Sequence, residues 1–197
     1  DQVYPIQALA RFAAATTDRK SLDAADRCAA RIVALQGDAG QWWWHYDART
    51  GEIVEGYPVY SVHQHAMGPM ALLDLVEART VLGDPGDAGL LAAAERGMAW
   101  LDSHPESAEP LIDPGLGVVW RKVGRREPRK AVRTVRAVTT SVRPGFRLGP
   151  LDQLFPPGPV DYECRPYELG WLLYAWYGDG LVRRLAQDPY RMGDDRA

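Results

Sequence analysis

The chain has 197 residues, 46% of them hydrophobic and 25% charged, which is the composition of a water-soluble globular domain and excludes disordered and collagen-like chains. No apolar run reaches the roughly 18 uninterrupted residues of a membrane helix, because Arg, Asp or Gly interrupts every candidate. The formal charge of -3 is unevenly spread: residues 121–147 carry ten Arg or Lys against the single Glu127, so this segment is strongly basic and the remainder acidic.

In chain order, the first element is Val3 to Ala10, apolar nearly all round, as in a helix buried on both sides. Ala24 to Leu35 alternates apolar pairs with charges at a helical period, so this second helix keeps one wet face, with Asp18 or Ser21 as its cap. Trp42-Trp43-Trp44-His45-Tyr46-Asp47, then Ala48-Arg49-Thr50-Gly51 and Glu52-Ile53-Val54-Glu55, predicts a tight β-hairpin with the three tryptophans alternating along its first strand. Met67 to Asp74 repeats the all-apolar pattern and Ala92 to Leu101 the one-faced pattern, after a Gly83-Asp84-Pro85-Gly86 turn whose Asp84 or Asp87 can cap the helix. A shorter strand pattern, Gly117 to Val123, follows. Leu169 to Trp176 is the third all-apolar helix, and Leu181 to Gln187 a short outer one before a polar tail.

This order of inner helix, outer helix and decorated loop is a repeat. Pro5 to Pro69 spans 64 residues and Gly68 to Gly170 spans 102, and the excess of 38 matches a basic, Pro-rich insertion at 121–160. Within it, Ala131 to Val138 has apolar residues about three apart and predicts a short amphipathic helix against the body or a membrane surface. A solvated loop that neutralises the acidic remainder is the plainer reading. The insertion has few aromatics and no recognition-module signature, so no nucleic-acid partner is expected. Cys28 and Cys164 fit neither a disulfide framework nor a CxxC pair, which points to a reducing, cytoplasmic setting. Asp1 falls inside helical pattern with no initiator Met, so the chain is expected to be the C-terminal fragment of a longer one.

Alternating inner and outer helices resemble an α/α toroid, and Gln36-Gly37-Asp38-Ala39-Gly40-Gln41-Trp42 matches QxxxGxW, the repeat signature of terpenoid cyclases and prenyltransferase-type toroids. Its physical sense is local: the Gln amide bonds helix-end backbone, Gly40 takes a positive φ and the Trp ring packs on the next turn. A second resemblance, over residues 36–75, is to six-hairpin glycosidases, polysaccharide lyases and uronyl C5-epimerases, where an aromatic hairpin precedes an inner helix opening with Tyr and His. The expected fold is therefore all-α, a single domain over 1–197 holding about three hairpins of a toroid, with a small β-hairpin in a loop. Half a ring leaves apolar edges, so missing N-terminal hairpins or a partner subunit are expected to cover them.

The resemblance implies a carbohydrate-active enzyme, an epimerase, lyase or hydrolase, on an acidic or extended glycan. Tyr60 and His63 are the candidate base and acid, Glu163 a second proton-transfer group, and Arg165 a carboxylate binder. Trp42, Trp44, His45, Tyr57, His65 and Tyr167 are candidate substrate contacts through ring stacking and hydrogen bonding. Each has a structural alternative: tryptophans that seal the hairpin, histidines bonded to loop carbonyls, Asp161 as a helix cap, Pro166 in its first turn, and Arg165 paired with Glu163 or Glu168. Asp161, Cys164 and a histidine lack the Asp-x-Cys spacing of protein prenyltransferases, so no metal and no cofactor are expected. The DxDD and DDxxD motifs are absent, which weakens a terpenoid or prenyl alternative; a non-catalytic glycan-binding or scaffold toroid is the third reading.

Overall fold

The computed structural model describes residues 3–43, 45–55, 59–60, 62–85, 87–143, 146 and 148–173, with backbone alone for Glu55, Val59, Tyr60, Asp152 and Leu172. The expected end of the third inner helix beyond Leu173, the outer helix Leu181 to Gln187, and the site candidates Trp44 and Tyr57 lie outside these residues.

The described chain is mostly helical, with small antiparallel strand pairs. Helices α1 (Val3–Thr16) and α2 (Arg19–Ala34) form the first hairpin, and α3 (Gly68–Val81) and α4 (Ala88–Ser103) the second. Asp18 caps α2 by accepting from the Ser21 amide, and Asp87 caps α4 by accepting from Gly89 and Leu90. Of the two candidate caps before α4, Asp84 instead pairs with Arg19 at 2.5 Å, tying the two hairpins together.

Burial follows the periodicity. Helix α1 buries Ile6, Ala10 and Ala13, and α2 buries Leu22, Ala25, Ala29 and Ile32, one stripe each. Helix α3 buries every residue from Gly68 to Leu75, because α1, α2 and α4 surround it; the one acid in this run, Asp74, accepts from the Gln7 amide at 2.9 Å and pairs with Arg11 at 3.3 Å. The many alanines in this core let the helix axes approach closely. A π-helical turn, Val62–Met67, runs directly into α3, and α7 (Pro166–Leu173) packs against it. There Val3 and Trp171 pack against the cluster of Val62, Ala66, Met67 and Met70, so the three segments read as inner helices meet in one apolar cluster.

The β-structure departs from expectation in three ways. Strand β1 is only His45–Tyr46, paired with β2 (Ile53–Glu55); Trp42 and Trp43 precede it rather than forming its first half. The physical reason is competition for backbone and ring donors: the Trp42 amide donates to the Gln64 side chain at 2.9 Å, and the Trp43 indole donates to the Leu35 carbonyl at 2.6 Å. Second, the ribbon after α4 joins β4 (Ile112–Asp113) to β5 (Val118–Val119), starting earlier than the Gly117 to Val123 pattern.

Third, the stretch at 121–160 is no free loop. Strands β6 (Lys122–Arg125) and β7 (Pro157–Asp161) pair with each other, and β3 (Val59–Tyr60) pairs with β6, making a three-stranded sheet in the order β3-β6-β7. Between β6 and β7 lie a 3-10 turn (Pro128–Lys130), α5 (Ala131–Val142) and α6 (Gly149–Leu154). Helix α5 realises the predicted amphipathic segment. The sheet buries Val123 against Trp100, Leu101 and Leu111, with Val160 and Trp120 at the margin of that second core.

Candidate functional site

The QxxxGxW segment forms the staple that its sequence implies, with one difference in partners. The Gln36 amide donates to the Gly40 carbonyl at 2.9 Å and to Ala93 of α4 at 3.0 Å, and its oxygen accepts from Arg96, so it ties α2 to α4 rather than capping its own helix. Gly40 has φ 88°, and a Cβ there would sit 2.1 Å from the Arg96 carbonyl oxygen. Trp42 is 8% exposed and lies against Gly68 and Gly97, so this candidate sugar-stacking ring is a core residue. Gln64, fully buried on the π-helical turn, completes the junction by donating to Gly40 and Gly97 at 2.8 Å each.

The polar centre lies where the sheet meets α7. Tyr60 of β3 is registered opposite Lys122, and Lys122 opposite Asp161 of β7. The Arg121 amide donates to the Glu163 carbonyl at 2.8 Å, which extends the β6–β7 pairing by a step and sets the two side chains together. The Arg121 guanidinium then bonds the Glu163 carboxylate at 2.6 Å and faces the Glu168 carboxyl at 3.5 Å. On its other oxygen Glu163 accepts from Arg165 at 2.5 Å, and Arg165 also donates to the Tyr167 hydroxyl at 3.1 Å, its guanidinium 5.9 Å from that ring's centroid.

Two carboxyls thus sit on one arginine with their pKa values shifted in opposite directions. Hydrogen bonds from Arg165 and then Arg121 hold Glu163 below the usual carboxylate range. Burial pushes Glu168, 3% exposed, above it, against the pull of Arg121. His63, on the first turn of the π-helical segment, is lowered from 6.5 to about 4, by burial first and by positive charge that includes Arg121. It is a neutral imidazole at pH 7.

Of the sequence-predicted site residues, the structure gathers Glu163, Arg165 and Tyr167 around Arg121, with the Tyr60 backbone one register step away and His63 within the reach of the Arg121 charge. His65 is buried within the π-helical turn at 1% exposure, and His45 is exposed on β1 in a separate sheet, so these two do not join the group. Asp161 is a strand residue paired with Lys122 at 2.9 Å and caps no helix; α7 begins at Pro166, which does take its first turn. Arg121 was the residue missed. It stands at the start of a basic run that reads as solvated, and its two acidic partners lie more than 40 residues downstream.

A second concavity lies between α2 and the β1–β2 ribbon, lined by Cys28, Ile32, Tyr46 and Asp47 among others. Burial pushes the Cys28 thiol up and the Tyr46 phenol up to about 12, so neither is a ready nucleophile at neutral pH. Among the described residues no three His, Cys, Asp or Glu gather as metal ligands. No family model, curated protein or solved structure matches the chain.

Proposed function

We propose that the chain is part of an α/α toroid that acts on an acidic or extended glycan, as an epimerase, lyase or hydrolase, in a cytoplasmic setting. The observation that carries this reading is the grouping of two guanidiniums, a neutral imidazole and an aromatic face at one end of the inner helices. Arg165 and Arg121 receive a sugar carboxylate, and the Tyr167 ring supplies a stacking face. His63, uncharged at neutral pH, accepts a proton from the carbon beside that carboxylate, and Tyr60 is the second proton-transfer candidate. Glu163 stays ionised between its two arginines, which suits it to anchoring them rather than to moving a proton.

The toroid itself is supported by the meeting of Val3, Met67, Met70 and Trp171 from the three repeated segments. Tyr4 and Phe12 of α1, 49% and 54% exposed, mark an apolar edge that a further hairpin would cover. Cys28 and Cys164, neither of them in a disulfide, fit a reducing compartment.

The test is incubation with uronate-containing polysaccharides in deuterated water. Deuterium incorporation at the carbon beside the carboxylate, an unsaturated uronate product or new reducing ends would identify epimerase, lyase or hydrolase in turn, and His63→Ala and Arg165→Ala should each abolish the signal. The full pairing of Glu163 favours a second reading, a toroid that binds glycan without turnover. Saturable binding lost in Arg165→Ala, with no product from the native chain, would select it.

A further inference from the structure

Helix α5 turns its faces opposite to the usual arrangement for a helix on a soluble protein. Val132 and Thr140 are its buried positions, at 3% and 2% exposure, and Arg133 and Arg136 are half-buried on the same side. Val135, Val138 and Val142 are 42%, 58% and 82% exposed. Their i, i+3, i+7 spacing puts them in one stripe along the outer face. Single exposed apolar residues are ordinary, but a continuous aliphatic stripe on one helix implies something that removes it from water.

The surroundings of the stripe state the charge of its partner. Arg126, Arg129 and Lys130 are exposed just before the helix, and Arg143 is exposed just after it. Arg129 and Lys130 hold left-handed backbone, with φ 48° and 60°, a conformation that L residues rarely keep without cause. Beyond the helix, the Arg143 guanidinium lies 5.5 Å from the ring centroid of Phe146, itself 38% exposed. Cations thus flank an aliphatic face at both ends, in the segment where ten basic residues meet one acid.

We propose that α5 is a docking helix for an anionic lipid surface, lying in the plane of the leaflet with Val135, Val138 and Val142 at the acyl boundary and Arg126, Arg129, Lys130 and Arg143 on the headgroups. A nucleic acid would answer the cations but offers nothing to a row of valines, whereas an acidic leaflet answers both. At 12 residues the helix is about 18 Å long, too short to cross a bilayer and suited to lying on one. The proposal is independent of what the Arg121 site turns over, since none of these residues belongs to that group.

Flotation of the full chain with vesicles of phosphatidylcholine plus phosphatidylserine, against phosphatidylcholine alone, tests it. Binding should be at least about tenfold tighter to the anionic vesicles and fall with added salt. Val138→Asp combined with Val142→Asp should lose about tenfold or more, and Arg129→Glu or Lys130→Glu about fivefold each. An unchanged thermal midpoint will show that these surface variants still fold; Val142→Ser, at the most exposed position, is the milder replacement if the aspartates disturb the helix. Equal binding to both vesicles, no binding to either, or full affinity in the valine variants would overturn the proposal. The last outcome, with tight binding to duplex DNA or an acidic polypeptide, would mark α5 as a charge-only polyanion site.

Discussion

At the scale of single residues, the junction of Gln36, Gly40, Trp42 and Gln64 shows how few side chains hold the two hairpins in register. Gln64 satisfies the Trp42 amide and two backbone carbonyls with no solvent to replace it. Gln64→Ala should therefore cost roughly 2–4 kcal/mol, read from denaturant midpoints. His63 makes a second, pH-dependent prediction. Its folded-state value of about 4 lies below the ordinary 6.5, so the folded chain binds fewer protons than the unfolded one between those values. Stability should be full above pH 6.5 and fall as the pH drops toward 4, by about 3 kcal/mol if His63 alone titrates there. His63→Gln should flatten that slope in urea melts taken across the same range. Arg121 is the third case. Arg121→Ala would strand the buried Glu168 carboxylate and should cost roughly 2–4 kcal/mol at neutral pH. The loss should shrink in acid, because Glu168, with its raised value, then takes up a proton. The Gln36–Gly40 bond was legible because it lies within the QxxxGxW motif; the bonds of Gln36 to α4 and those of Gln64 were not, because their partners lie 22 to 60 residues away.

At the scale of elements, the helices follow the sequence closely and the strands do not. Helical periodicity is a local property, so α1 to α5 are visible as stripes or as all-apolar runs. Glycines on α3 and α4 take their meaning only from what lies across from them. A Cβ on Gly97 would come within 2.6 Å of the Trp42 indole nitrogen, so Gly97→Ala, otherwise a helix-favouring change, should destabilise by about 1–3 kcal/mol in chemical unfolding. Asp87→Ala, which removes two hydrogen bonds at the start of α4, should cost about 1 kcal/mol. Helix α5 shows the limit of a pattern: its period marks an amphipathic helix, but only its packing reveals that Val132 faces inward while Val135, Val138 and Val142 face outward.

At the scale of the whole molecule, the exposed apolar edge of α1 bears on the proposed ring. If a further hairpin belongs on Tyr4 and Phe12, size-exclusion chromatography of this chain should show concentration-dependent association, reduced by Phe12→Lys. A stable monomer at all concentrations, with Phe12→Lys indistinguishable from it, would count against an open ring.

From sequence alone came the helical stripes, the pairs of candidate helix caps, the Gln36–Gly40 turn of the QxxxGxW motif and the amphipathic character of α5, all of them relations between residues a few positions apart. Tertiary structure alone decided that Tyr60, Lys122 and Asp161 sit on neighbouring strands, that Glu163 and Glu168 share one guanidinium with their pKa values shifted in opposite directions, and which side of α5 meets water. The division has a physical cause. Backbone propensity and side-chain period act within a turn or two of the chain, whereas strand partners and electrostatic environments depend on which distant segments exclude water together.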